Sequence, residues 1–196
     1  MKFSTSINMQ RDTVQRQREL FTSLYKGESD AIFRYCLIRT SHREVALDLV
    51  QDTFSRFWTV LNRGENIANH RAFLYTVARN LIIDWYRKKK PDSLDGLAEE
   101  NNIDALIMGE DDHRQDIEME TEARFLLDKI SELEAQYQQP VFLRFVEGLK
   151  PGEIAQIMNV SVNVASVRIS RGIDRLRKLV GYEKKITWKK VRSKKP

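Results

Sequence analysis

The stretch from Lys150 to Lys178, KPGEIAQIMNVSVNVASVRISRGIDRLRK, admits few arrangements. Its apolar residues recur at helical steps on both sides of a reversal. The spacing predicts a short helix over about Pro151 to Met158, with Ile154, Ile157 and Met158 facing inward. Proline suits a first helical position, where its missing N–H is not needed. Asn159 falls where the chain must reverse, and asparagine tolerates the left-handed conformation better than most residues. Ser161 is placed to cap a second helix through its hydroxyl. In that helix Val162, Ala165, Ile169, Gly172 and Leu176 recur at steps of three and four, which predicts one buried stripe. Asn163, Val164, Ser166, Val167, Arg168, Ser170 and Arg171 then point outward. Short polar groups, small apolar groups and arginines on one face suit a DNA major groove: arginine reaches phosphates or guanine edges, and valine methyls pack on thymine methyls. Plain packing with a solvated basic face is the other reading of this window, although a solvated face has no use for outward valines.

The rest of the chain also reads as helix, and strand signals are weak throughout. Leu20 to Ile38 predicts a helix with Phe21, Leu24, Tyr25, Ile32, Phe33 and Cys36 on its apolar side, interrupted in propensity by Gly27. Glu44 to Leu61 carries a wide stripe of Leu49, Val50, Thr53, Phe54, Phe57, Trp58 and Leu61. A polar loop, Asn62 to His70, leads into a helix over Arg71 to Lys90, with Phe73, Leu74, Val77, Ala78, Leu81, Ile82 and Trp85 spaced for burial. Its last turn is basic, which complements the helix dipole, and Pro91 stops it. Asp92 to about Glu120 has no sustained stripe and reads as a flexible linker, with transient helix near Ile103 to Met108. A second unit begins near Glu122, where Phe125, Leu126, Ile130 and Leu133 form one face. Val141, Phe142, Phe145 and Val146 form another, begun or kinked by Pro140 and ended by Gly148. The fold class expected is all-α: two small helical domains joined by a flexible acidic linker.

Charge is distributed unevenly. The net charge is only +5, yet Asp92 to Glu122 holds Arg114 as its one Lys or Arg, while the outward helix and the tail after Gly181 are basic. That asymmetry points to an anionic partner for the basic parts. The tail, with Trp188, reads as a disordered extension or a partner-facing one. Cys36 is the only cysteine, so it forms no internal disulfide, and its apolar surroundings read as core filling rather than a reactive thiol. His42, His70 and His113 are scattered without cysteine partners, so no metal site is expected. No phosphate-cradling glycine loop appears, and most carboxylates fall in the linker, so neither catalytic residues nor cofactors are expected. No stretch suits a membrane span or a secretion signal, and a cytoplasmic location is expected.

Three blocks in order resemble a bacterial sigma factor of the sigma-70 family, extracytoplasmic-function group. Asp48-Leu49-Val50-Gln51-Asp52-Thr53-Phe54 is similar to the family's region 2.2 signature. Ala78-Arg79-Asn80, with Asp84 and Arg87, is similar to its −10-reading helix. The helix–turn–helix, preceded by Phe145-Val146-Glu147-Gly148-Leu149, is similar to region 4. The resemblance covers roughly Leu20 to Leu179. Three departures stand out: Lys150 where the family usually places Ser or Thr, Asn159 in place of the turn glycine, and Val167 where a polar residue is common.

The resemblance implies a set of roles. Asp48, Gln51 and Asp52 would face the β′ clamp coiled coil of core RNA polymerase. Asn62, Asn66 and Asn69 of the loop, with Arg79, Asn80, Asp84, Arg87 and Lys88, would hold the opened −10 strand. Asn163, Val164, Ser166, Val167, Arg168 and Arg171 would read the −35 duplex. The domains implied are residues 1–90 for region 2, 91–121 for the linker, 122–182 for region 4, which would also meet the β flap, and 183–196 for the tail. An anti-sigma factor is the further partner implied. A free-standing helix–turn–helix regulator is the alternative, and it gives Asp48 to Phe54 no task. An adaptor that binds neither polymerase nor DNA leaves the basic outward helix unexplained.

Overall fold

The computed structural model describes residues 2–89 and 121–181, with side chains from Asp12 in the first stretch and from Phe125 in the second. Among these residues there are seven helices and no strand: α1 (Lys2–Thr40), α2 (Arg43–Asn62), α3 (His70–Lys89), α4 (Thr121–Ser131), α5 (Ala135–Phe145), α6 (Pro151–Ile157) and α7 (Val162–Leu179). The acidic linker with its Ile103 to Met108 segment, and the basic tail with Trp188, lie outside the described residues.

Helix α1 runs unbroken through Gly27, whose missing side chain faces open space. The cost of an interior glycine, about 1 kcal/mol, is offset by packing on either side of it. Phe21 meets the rings of Phe54 and Trp58 at 6.0 and 5.1 Å, and Tyr25 meets Phe54 at 4.8 Å, although Tyr25 itself lies at the exposed rim. The α2 stripe is buried as its spacing predicts, with Trp58 only partly covered. Thr53 is tolerated inside it because its hydroxyl donates to the Leu49 carbonyl at 2.7 Å. The chain reverses between α1 and α2 at Ser41, which has φ of 54°. Asn69 starts α3 by accepting from the Ala72 N–H at 3.0 Å. Trp85, expected in the core, is half-buried, edge-on to His42 and Tyr86.

Before its helix–turn–helix, the second unit departs from the expected pattern at Phe125 and Phe145, and it decides between the two readings of Pro140. In α4 the buried face is Leu127 and Ile130, continued by Leu133 beyond the helix end, and Phe125 is exposed. Lys129, one turn on, covers the Phe125 ring at 5.7 Å, so a cation replaces the core as its neighbour. In α5 Pro140 lies inside the helix, which starts five residues earlier at Ala135. Proline there removes one backbone bond, and the burial of Tyr137, Val141, Phe142 and Leu143 outweighs the loss. Phe145, assigned inward from its spacing, is half exposed at the helix end. Gly148 then turns the chain with φ of +68°.

The helix–turn–helix forms as its residues dictate. Glu153 accepts from the Lys150 N–H at 2.7 Å, which supplies the cap that the lysine side chain cannot. Asn159 takes φ of 53°, and the Ser161 hydroxyl accepts from the Val164 N–H at 3.2 Å. Ala165, Ile169, Gly172 and Leu176 are buried, but Val162, the first residue of α7, is 55% exposed. At Gly172 a side chain would meet Val141 Cγ2 at 2.4 Å and Tyr137 Cβ at 3.1 Å, so glycine lets α7 lie directly on α5. The two units then meet, α3 lying against α6, and their buried residues join in one core.

Candidate functional site

Three exposed surfaces and one internal polar cluster carry the chemistry. On α2, burial of Leu49, Val50, Thr53 and Phe54 turns Asp48, Gln51 and Asp52 to solvent, where all three are exposed. Leu47, absent from the sequence reading, is 38% exposed beside them, one turn from Gln51. Its position at the edge of the apolar stripe was the available signal. An apolar group ringed by polar ones is the usual make-up of a protein contact.

On the α3 side, Asn62, Asn66, Asn80, Asp84, Arg87 and Lys88 are exposed. Asp84 and Arg87 sit 4.0 Å apart at the surface, a pairing that water readily breaks. Asn69 and Arg79 are placed differently. Asn69 caps α3 and donates from Nδ2 to Glu153 Oε1 of α6 at 3.1 Å. Arg79 is 5% exposed, with Nε 3.5 Å from Gln139 Oε1 of α5. The structure therefore leaves six of these eight residues exposed and sets two against the second unit.

On α7, Val162, Asn163, Val164, Val167, Ser170 and Arg171 are exposed, while Ser166 and Arg168 are half-buried. The Ser166 hydroxyl donates to the Val162 carbonyl at 2.8 Å. Further along, Arg175 meets Glu134 at 2.9 Å and Arg177 meets Asp174 at 3.0 Å. The N-terminal half of α7 is thus the more open half.

The internal cluster was not foreseen. Glu147, buried after α5, accepts from the Tyr75 hydroxyl at 2.7 Å, and Arg34 stands 3.9 Å away. Arg71 donates to the Glu147 carbonyl at 2.8 Å and pairs with Glu28 of α1 at 3.0 Å. Gln139 donates to the Tyr35 hydroxyl at 3.1 Å. The Arg39 guanidinium lies between two rings, 3.6 Å from Tyr35 and 4.4 Å from Phe142. Burial and then the neighbouring Glu147 carboxylate raise the Tyr75 hydroxyl well above its ordinary range, so it stays a donor. Burial opposes the charge on Arg71, but Glu28 outweighs it and holds that charge more firmly than usual. Burial pushes the Cys36 thiol up to about 12 against the pull of Arg39, as a core position dictates. Among the described residues no group of three or more His, Cys, Asp or Glu is placed to hold a metal ion, and no helix is long and apolar enough to cross a membrane.

An all-α chain with an amphipathic three-helix unit and a C-terminal helix–turn–helix defines the class, and comparison with known proteins narrows it. Residues 24–91 match the family described as sigma-70 region 2, and residues 126–176 match sigma-70, region 4. RNA polymerase sigma factor YlaC of Bacillus subtilis is 26% identical over 163 residues, 83% of this chain and 93% of that protein. ECF RNA polymerase sigma factor SigW of the same organism is 27% identical over 169 residues, 82% of this chain and 89% of that protein. Among solved structures, the sigma factor RpoE from Bartonella quintana, in complex with the anti-sigma factor NepR, superposes with a TM-score of 0.60 at 20% identity. That match covers 83% of this chain and 98% of the other. The chain belongs to the sigma-70 family of RNA polymerase sigma factors, in its extracytoplasmic-function group. The free-standing regulator is not favoured, since the region 2 match accounts for the half that such a regulator leaves idle.

Proposed function

We propose that this chain binds core RNA polymerase and directs it to promoters by reading a −35 duplex and an opened −10 strand, without catalysis of its own. The observation that carries the reading is the open N-terminal half of α7, where Val162, Val164 and Val167 stand exposed beside Asn163 and Arg171. Valines kept in water gain nothing, whereas in a major groove they meet thymine methyls while asparagine reaches a base edge. Asp48, Gln51 and Asp52, with Leu47 among them, are the contact for the β′ clamp coiled coil, and other surfaces of region 4 face the β flap. Asn80, Asp84, Arg87 and Lys88, with Asn62 and Asn66 of the preceding loop, hold the displaced strand, joined by Asn69 and Arg79 once these are accessible. Extruding a base costs a few kcal/mol, which contacts to the base and backbone offset. An anti-sigma factor is the regulatory partner. The linker, residues 91–121, ties the −10 unit to the −35 unit.

The test is run-off transcription with core enzyme on the promoter of the protein's own gene, paired with competition for core enzyme. Asp48→Lys with Asp52→Lys is expected to abolish competition while helix content is retained. Competition equal to wild type by that double variant refutes the core-binding assignment, and absence of any promoter-dependent transcript refutes the whole reading.

A further inference from the structure

The loop before α3 leaves α2 through one peptide group, Leu61–Asn62, whose oxygen is held from outside the helix. The last carbonyls of a helix have no partner within it, and water commonly takes them. Here the Leu61 carbonyl accepts from the Gly64 N–H at 3.0 Å and from the side-chain amide of Gln17, Nε2, at 2.6 Å. Gln17 stands on α1, 44 residues away in the chain. A carbonyl only accepts, so the glutamine must turn its NH2 group toward it, and the contact has one polarity.

Gln17 sits where the seam between α1 and α2 runs out. One turn on, the Phe21 ring packs against Phe54, Phe57 and Trp58 of α2 at 6.0, 6.1 and 5.1 Å. One turn back, Val14 is 44% exposed. Residues three and four apart share a helix face, so this face passes from apolar contact to one aimed hydrogen bond and then to water. What the bond fixes is a plane. The Leu61 oxygen and the Asn62 nitrogen belong to one rigid peptide group, so holding the first sets the direction in which Asn62 leaves the helix. The turn at Gly64, with φ of +71°, hangs on the same oxygen and leads to Asn66. At its far end the loop is held by Ile67, packed on the core, and by Asn69, which caps α3. Asn62 and Asn66 stand exposed between these two anchors.

We propose that Gln17 is a positioning residue for the −10 strand: its amide clamps the Leu61–Asn62 peptide and thereby aims Asn62 and Asn66 at the opened DNA. The inference rests on the functional reading given for this loop. Gln17 precedes residues 24–91, the segment that matches sigma-70 region 2, so that match assigns it no task. It acts on the backbone of the loop and not on DNA. Gln17→Met removes the donor while keeping the reach and helix propensity of the side chain. Gln17→Lys returns a donor to the same reach.

The experiment uses the full chain, first alone and then with core enzyme on the promoter of the protein's own gene. In the free chain, amide exchange over residues 62–66 is expected to quicken about fivefold in Gln17→Met, the worth of one hydrogen bond, and to return toward wild type in Gln17→Lys. With core enzyme, opening of the −10 region followed by permanganate is expected to slow about fivefold in Gln17→Met and to recover in Gln17→Lys, while competition for core enzyme stays at the wild-type level. Combining Gln17→Met with Asn62→Ala should slow opening by less than the product of the two single losses, because both act through one peptide. Unchanged exchange in Gln17→Met overturns the clamp. Quickened exchange with wild-type opening overturns the positioning role, as do single losses that multiply in full. Failure of Gln17→Lys to restore either readout, or an equal loss of competition for core enzyme, assigns Gln17 to packing alone and overturns it too. If wild type opens no promoter, the functional reading fails and the positioning role falls with it, while the exchange result still decides the clamp.

Discussion

Gly172→Ala sets two magnitudes against each other. Helix propensity alone favours alanine in the interior of α7 by about 1 kcal/mol. The new methyl, however, would stand 2.4 Å from Val141 Cγ2 and 3.1 Å from Tyr137 Cβ. Tyr137 Cβ moves only with its backbone, and a helical valine has essentially one χ1 rotamer, so neither atom yields cheaply. Carbon atoms rest at about 3.5–4.0 Å, so α7 must move off α5 by about 1 Å, and the contacts of Ala165, Ile169 and Leu176 loosen with it. Overpacking costs about 1–3 kcal/mol, and rigid atoms on both sides place this site at the upper end. Subtracting the propensity gain leaves a net loss of about 2 kcal/mol. In urea unfolding of the full chain followed by circular dichroism, the midpoint is expected to fall by about 1 M with an unchanged slope. Adding Val141→Ala should recover about 1 kcal/mol relative to the sum of the single changes, because it vacates the space the methyl needs. A midpoint that rises, as propensity by itself requires, would refute the close approach of α7 to α5.

Other residues give sharper local tests. Asn159, at φ of 53°, is expected to accept glycine within a few tenths of a kcal/mol and to lose about 1–2 kcal/mol on Asn159→Val, measured by the same urea titration. Ser161→Ala removes the cap on the Val164 N–H and should cost about 1 kcal/mol, visible also as weaker −35 duplex binding. Arg171→Ala is expected to lower the salt slope of duplex binding by about one unit on every sequence, whereas Val164→Ala should relax discrimination at one or two base pairs by about 1–3 kcal/mol each. Cys36 should resist alkylation at pH 8 until denaturant is added. Its folded value of about 12 lies above the ordinary 9.0, so the stability it contributes is full below pH 9 and drains away as pH rises toward 12. Tyr75, raised as well, adds to that alkaline loss, and unfolding monitored across this window checks the sign.

The sequence disclosed what depends on local period. The stripes of α2 and α7 are wide and strongly amphipathic, and a turn that needs asparagine at positive φ followed by a serine cap has few alternatives. Errors fell where the period runs out. Val162 occupies the first position of α7 and satisfies the stripe arithmetic, yet it is exposed there. Pro140 left two readings open, a helix start or a kink, and the start is excluded: five residues of helix precede it where burial outweighs one missing bond. Among the site residues, Asp48, Gln51 and Asp52 were placed correctly at the surface for the same reason that α2 was legible: their helical angle is fixed by the leucine and phenylalanines behind them.

The interior cluster could not be read this way. Tyr75 and Glu147 are 72 residues apart in the chain, and Tyr35 and Gln139 are 104 apart, so no periodicity links them. Their types also mislead: an arginine or asparagine at a given angle on α3 looks the same whether it will meet water, DNA or another protein surface.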